Sequence, residues 1–309
     1  MCGRIHAVPA ALALLAGCST VPGNTNRDWP QYTLPSTQVV VLNSPFGGRF
    51  DASALCFMPD GMLLTIDNLR PELCRIELTP GATTARLVPL VQWLTPAQLA
   101  PFAAIKRGAY DCEGIARDEQ GRLYICEEAN RWVLRCDPAS GRVERLLIDW
   151  SPVENFFSAE PNASFEGVAV GRGKLYLANE RNSPLVITVD LETLRVTDWF
   201  RPQPHKSSLL GTHYSDLCWF EEKLWVLCRQ HRVVLAVNPA THEVLAEFDY
   251  EAVEDALGYR KTLPVGIMEG LAVDHDSIWL VTDNNGWPRK SSATDLRPTL
   301  VRCPRPDRR

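Results

Sequence analysis

The chain has 309 residues, of which 45% are hydrophobic and 22% charged, a composition that excludes a disordered, collagen-like or coiled-coil protein. Lys and Arg number 32 against 37 Asp and Glu, a net charge of −5, so the basic surplus expected of a nucleic-acid binder is missing. No apolar run reaches the ~18 residues that a membrane-spanning helix needs.

Residues 1–17 read as an export signal. Arg4 lies near the start, residues 7–16 are apolar apart from Pro9, and the small residues Gly17, Cys18 and Ser19 follow. Leu15-Ala16-Gly17-Cys18 resembles a bacterial lipobox. That resemblance implies cleavage before Cys18 and lipidation of Cys18. With Ser19 next, it also implies a protein held at the outer membrane of the cell envelope, facing the periplasm. The alternative is a simple secretory signal that contains a cysteine. Residues 18–36 read as a tether, because 20–34 is rich in Pro, Gly, Asn and Thr.

Export permits disulfides among the eight cysteines beyond Cys2 and Cys18. None forms a C-x-x-C pair, which argues against a zinc knuckle. Cys126 could bridge to Cys112 or to Cys136 across neighbouring turns, but not to both. Several small buried thiols are the other reading.

Residues 37–309 are organised by a repeat. Similar strand starts recur every ~50–60 residues: Ser53-Ala54-Leu55-Cys56, Glu113-Gly114-Ile115-Ala116, Glu166-Gly167-Val168-Ala169, Asp216-Leu217-Cys218-Trp219 and Glu269-Gly270-Leu271-Ala272. A turn and a second strand follow each start, as in Leu123-Tyr124-Ile125-Cys126. Third and fourth strands then flank turns such as 137–141 and 238–242. Four short strands per repeat predict an all-β protein, a five-bladed β-propeller with four-stranded blades. The fifth unit ends after its third strand, 299–303. Strand 38–43 (QVVVLN) is therefore expected to supply the fourth and close the ring. Segment 92–110 predicts a short helix with Thr95 as N-cap and Pro96 in the first turn. Six blades is the alternative if that segment hides another sheet.

First strands begin, and second strands end, on one face of such a disc. Ser53, Glu113, Glu166, Asp216 and Glu269 thus share a rim with Asp67-Asn68, Glu127-Glu128, Asn179-Glu180, Cys228-Arg229 and Thr282-Asp283. Gathered carboxylates repel unless neutralised, and a hard divalent cation, Ca2+ foremost, is the expected cofactor because it prefers several oxygen ligands. Glu113, Glu166, Asp216 and Glu269 are the candidate metal ligands and catalytic residues. Arg181, Arg229, Asp283 and Asn284 are the candidates for holding a small anionic or phosphorylated ligand. In the competing reading each glutamate caps its blade or pairs with a rim arginine, as Arg70 and Arg131 suggest. His213 near Asp216 is a weaker acid–base candidate. Trp219, Trp225 and Trp279 lie within strands and read as core. No G-x-S-x-G elbow, H-E-x-x-H pair or phosphate-cradling glycine loop occurs.

Three phrases carry a family resemblance: Asp111-Cys112-Glu113-Gly114-Ile115-Ala116, His213-Tyr214-Ser215-Asp216-Leu217, and Met268-Glu269-Gly270-Leu271-Ala272-Val273 followed by Thr282-Asp283-Asn284-Asn285. They resemble the phytase-like propeller family, also described as the esterase-like activity of phytase domain. The resemblance implies phosphoester or carboxylester hydrolysis by a secreted propeller, expected to be monomeric. Two departures stand against a simple transfer of activity: Cys228 replaces an acidic residue of the family pattern, and Gly286 separates Trp287 from the two asparagines. A non-catalytic propeller of the cell envelope that binds a ligand or protein is the rival reading.

Overall fold

The computed structural model describes residues 28–160 and 162–308. The export signal and Cys18 lie outside the described residues. Two strands lead, β1 (Gln31–Thr33) and β2 (Gln38–Asn43). Antiparallel sets then follow in chain order: β3 (Cys56–Phe57), β4 (Leu63–Asp67), β5 (Glu72–Glu77) and β6 (Thr84–Pro89); β7 (Cys112–Arg117), β8 (Leu123–Glu127), β9 (Trp132–Asp137) and β10 (Arg142–Arg145). Next come β11 (Phe165–Gly171), β12 (Lys174–Asn179), β13 (Leu185–Asp190) and β14 (Arg195–Phe200), then β15 (Tyr214–Phe220), β16 (Lys223–Cys228), β17 (Val233–Val237) and β18 (Val244–Asp249). The last set has three strands of its own, β19 (Met268–Val273), β20 (Ser277–Thr282) and β21 (Thr299–Pro304).

Strand β2 completes that last set. It pairs antiparallel with β21, Val40 opposite Leu300, and its other edge runs parallel to β6. The last and first sets thereby fuse into one eight-stranded sheet, and both edges of β2 are paired. Each first strand touches the first strand of the next set, and β19 returns to β3. Apolar side chains such as Ile125, Leu177, Val226 and Leu280 fill the spaces between sheets.

Glycine sets how closely the inner strands approach. A Cβ on Gly167 would lie 2.6 Å from the Asp216 Cα, and one on Gly114 would lie 2.8 Å from the Val168 nitrogen. Only hydrogen fits there.

Two sequence expectations change and a third holds. Residues 29–34 are not a free tether: β1 runs parallel to β18, and Trp29 and Leu34 are buried. Those two apolar side chains anchor a stretch whose Pro and Asn content suggested a linker. All eight described cysteines are free thiols. Cys112 faces Glu127 and Cys136 faces Leu123 across the ladders, so neither proposed bridge is in register. Segment 92–110 forms α1 (Pro96–Leu99), capped by Thr95, then a 3-10 turn over Ala100–Phe102, with no strand.

Candidate functional site

The site is built on a backbone irregularity. Strands β7, β11, β15 and β19 each carry a bulge against their second strand, between Cys112 and Gly114, Phe165 and Gly167, Tyr214 and Asp216, and Met268 and Gly270. The inserted residues are Glu113, Glu166, Ser215 and Glu269. Ser215, not Asp216, therefore occupies the glutamate position, and Asp216 stands where the other strands have glycine. A one-residue change of register moves a side chain to the opposite face. Asp216 is fully buried and accepts backbone N–H groups from Leu217 at 2.8 Å and Leu271 at 2.7 Å. Burial pushes its carboxyl well above the usual range, opposed by amide hydrogen bonds from Leu271, Leu217 and Leu55. It ties inner strands together and does not line the cavity.

That cavity, of about 500 Å³, opens on the face where first strands begin, here the upper face. Seven carboxylates line it, Asp51, Asp111, Glu113, Glu128, Glu166, Glu269 and Asp283, against Arg49, Arg181, Arg229 and His213. The cations are unevenly placed. Arg229 contacts both Glu180 and Glu269, Arg181 contacts Glu180 and Glu160, and Arg49 contacts Asp51 and reaches Asp283 at 3.6 Å. His213 Nδ1 lies 3.0 Å from Glu180.

Among the described residues the remaining cavity carboxylates have no such partner. Glu113 accepts one hydrogen bond from the Asn68 side chain at 3.2 Å, and Glu128 one from the Ser164 amide at 3.0 Å. Glu166 is 6% exposed and receives no hydrogen bond among the described residues. Asp111, Glu113 and Glu128 each bring an oxygen within 4.8 Å of the others, and so do Glu128, Glu166 and Glu180. Glu128 belongs to both groups.

Electrostatics follow from this layout. Burial, reinforced by Asp111 and Glu128, holds the Glu113 carboxyl well above its ordinary value. Burial and the charges of Glu180, Glu128 and Glu113 do the same to Glu166, against Arg229. Glu128 is raised to about 8, by burial and then by Glu180 and Asp111, despite the Ser164 amide. Glu180 goes the other way: burial raises it, but the His213 hydrogen bond and the charges of Arg229 and Arg181 outweigh burial. Near neutral pH Glu128 retains its proton unless a cation replaces it.

The donor set suits a hard divalent cation. It is all carboxylate oxygen, buried except for half-buried Asp111, and in excess of its local positive charge. Of the four ligands named from sequence, Glu113 and Glu166 fall in these groups. Glu269 is instead engaged by Arg229, with its second oxygen unpartnered. Asp111, Glu128 and Glu180 complete the two groups. Capping exists too, but falls to the last residues of second strands: Asp67 accepts the amides of Asp51 and Leu69, and Glu127 those of Asp111 and Asn130.

Among the proposed ligand-binding residues, Arg181, Arg229 and Asp283 reach the cavity. Asn284 does not; its side chain donates to the Leu296 carbonyl and accepts the Gly286 amide. Arg70 pairs with Asp67, while Arg131 donates to the Ser158 carbonyl and lies over Phe157. Both are structural. Trp225 is core, whereas Trp219 lines a second cavity on the lower face.

Solved structures share this fold. Glutaminyl cyclase from Myxococcus xanthus superposes with a TM-score of 0.58 at 15% identity, covering 89% of this chain and 97% of that one. Weaker likenesses are aldose sugar dehydrogenase from Streptomyces coelicolor in its PQQ-bound form (TM-score 0.46, 14% identity, 88% and 100% covered) and a catalytically inactive virginiamycin B lyase from Staphylococcus aureus with quinupristin (0.42, 11%, 81% and 65%). The first of these, with the succession of strand sets, defines an all-β fold of propeller type. The chain belongs to the phytase-like family described as esterase-like activity of phytase, matched over residues 44–286. No curated protein matches it.

Proposed function

We propose that this chain is a five-bladed propeller that hydrolyses small phosphoesters or carboxylesters with a divalent cation in its upper cavity. The blade count is supported by the closed succession of inner strands and by β2 completing the last set. The carrying observation for function is the pair of carboxylate groups that share Glu128, in which half-buried Asp111 and buried Glu113, Glu128 and Glu166 form no ion pair among the described residues.

Asp111, Glu113 and Glu128 would hold the cation, calcium being the ion their oxygen donors favour, with Glu166 and Glu180 beside them. Bound there, the ion would polarise an ester oxygen and lower the pKa of water. Glu166 has no donor satisfying it among the described residues and a carboxyl held above its ordinary value by burial, so it suits proton transfer, as base toward water or acid toward a leaving oxygen. Arg181 and Arg229 form the positive edge that orients an anionic substrate, with His213 beside them. Leu263, Val265 and Trp287 supply the apolar part of the cavity wall.

A phosphomonoester and carboxylester panel with and without chelator tests this reading. Turnover should require the cation and fall ~100-fold or more in Glu166→Gln. Cation binding without turnover of any ester would favour the binding-module reading instead. We place the protein in the bacterial envelope through lipid on Cys18, so Cys18→Ala should release it into the soluble fraction. Retention of that variant at the membrane would refute the anchor.

A further inference from the structure

The lower face holds a larger cavity, of about 860 Å³, at the opposite end of the inner strands. It is independent of the upper site in residues and in chemistry. Its volume lies within the range of small-molecule sites, which combine apolar walls with a few placed polar groups. Phe57, Met58, Val170, Trp219, Phe220 and Val273 supply apolar wall. Trp219 is fixed in place: its ring stacks on Tyr176 at 5.5 Å and covers Gly171, where a Cβ would come within 2.2 Å of it.

Three arginines, Arg117, Arg122 and Arg172, and three carboxylates, Asp118, Glu119 and Asp274, line this cavity, and one of the arginines stands without an ion pair. Asp118 is paired with Arg122 at 2.6 Å, and Arg172 with Glu222 outside the wall. Asp274 spends both oxygens locally, on the amides of Asp276 and Ser277 and on the Trp279 indole N–H. Glu119 is exposed on its turn. Arg117 alone among the lining arginines has no carboxylate partner among the described residues; it donates to the Phe57 carbonyl at 2.6 Å and the Asp118 carbonyl at 3.3 Å. Its guanidinium acts on the thiols of Cys56 and Cys218 in the cavity wall, opposing the burial that raises them.

We infer that the lower cavity binds an amphipathic monoanion, an apolar body carrying one carboxylate, with the anionic head on Arg117 and the body against Trp219, Phe220 and Val273. A neutral molecule of the same shape would leave the Arg117 charge uncompensated, so the head group decides affinity.

Decanoate and decanol are the probes, titrated into the full chain by calorimetry. Decanoate should bind saturably, one per chain, about 10-fold or more tighter than decanol. Arg117→Gln should abolish that preference, and Arg117→Lys should retain part of it. Met58→Glu, which adds a negative charge to the wall without touching Arg117, should weaken decanoate and spare decanol. Chelator and calcium should leave decanoate affinity unchanged. The inference is overturned by absence of saturable binding, by equal affinity for the two probes, or by a preference that survives in Arg117→Gln. It is equally overturned by cation-dependent decanoate binding, which would place the head group in the upper cavity.

Discussion

Glu128→Gln separates the cost of a buried carboxylate from its use. In the folded chain the Glu128 carboxyl is raised from 4.5 to about 8, chiefly by burial. The unfolded chain loses that proton above the ordinary value, whereas the folded chain keeps it. Stability is therefore full below pH ~4.5 and declines as pH rises through about 8. At about 1.4 kcal/mol for each pH unit, the loss from this group reaches about 3 kcal/mol at pH 7, with a ceiling of about 5 above pH 8. For a domain of this size that is roughly 6–12 °C in Tm at pH 7. Glutamine keeps an oxygen for the Ser164 amide but cannot ionise. In chelator the variant should match the parent at pH 5 and melt several degrees higher at pH 8. Saturating calcium should stabilise the parent by about 3 kcal/mol at a hundredfold excess over Kd, and the variant far less. Scanning fluorimetry across pH 5–8, with calcium and with chelator, reads all four values. A parent Tm that is flat with pH in chelator, or a variant that melts lower than the parent at pH 8, would refute the reasoning.

Other substitutions probe the frame. Gly167→Ala should destabilise the chain by about 3 kcal/mol or more or prevent folding, because its Cβ would meet the Asp216 backbone at 2.6 Å; a soluble variant with parental Tm would contradict the close approach. Asp216→Ala should lower Tm by stranding the Leu271 and Leu217 amides, at about 1–3 kcal/mol each, yet leave calcium affinity intact in titration; lost affinity would return Asp216 to the site. Trp29→Ala should cost about 3 kcal/mol in urea unfolding, whereas a tether residue would cost nothing.

Much of the fold was legible because hydrophobic period and turn chemistry repeat. The sequence placed β2 as the missing partner of β21 from its run of valines and the shortness of the last unit, and Val40 does face Leu300. Thr95 and Pro96 marked their helix in the same way. The site was half legible. Glu113 and Glu166 stood out by repetition, but Asp216 was aligned with them by charge. Aligning Leu217 with Ile115, Val168 and Leu271 would have put Ser215 in register and left Asp216 on the glycine. Charge is a poor guide to register where a bulge inserts one residue. Glu128 and Glu180 follow the second strands directly, and Asp111 precedes Glu113 by two, so all three were within the motifs. What singles them out is contact between neighbouring sets, such as Glu128 with the Ser164 amide and Glu180 with His213. Sequence spacing carries no such contact. Trp29 and Leu34 were hidden for a similar reason, since their composition resembled a linker and only their partners on other strands fix them.

Calcium titration of chelator-stripped protein at pH 6.5, in two buffers of different ionisation enthalpy, measures cation binding and proton release together. Glu128, raised to about 8 chiefly by burial, holds its proton there, so binding should be saturable and should release at least one proton per chain. The release should shrink in Glu128→Gln. No saturable binding, or binding with no proton released, would contradict a cation held by these carboxylates.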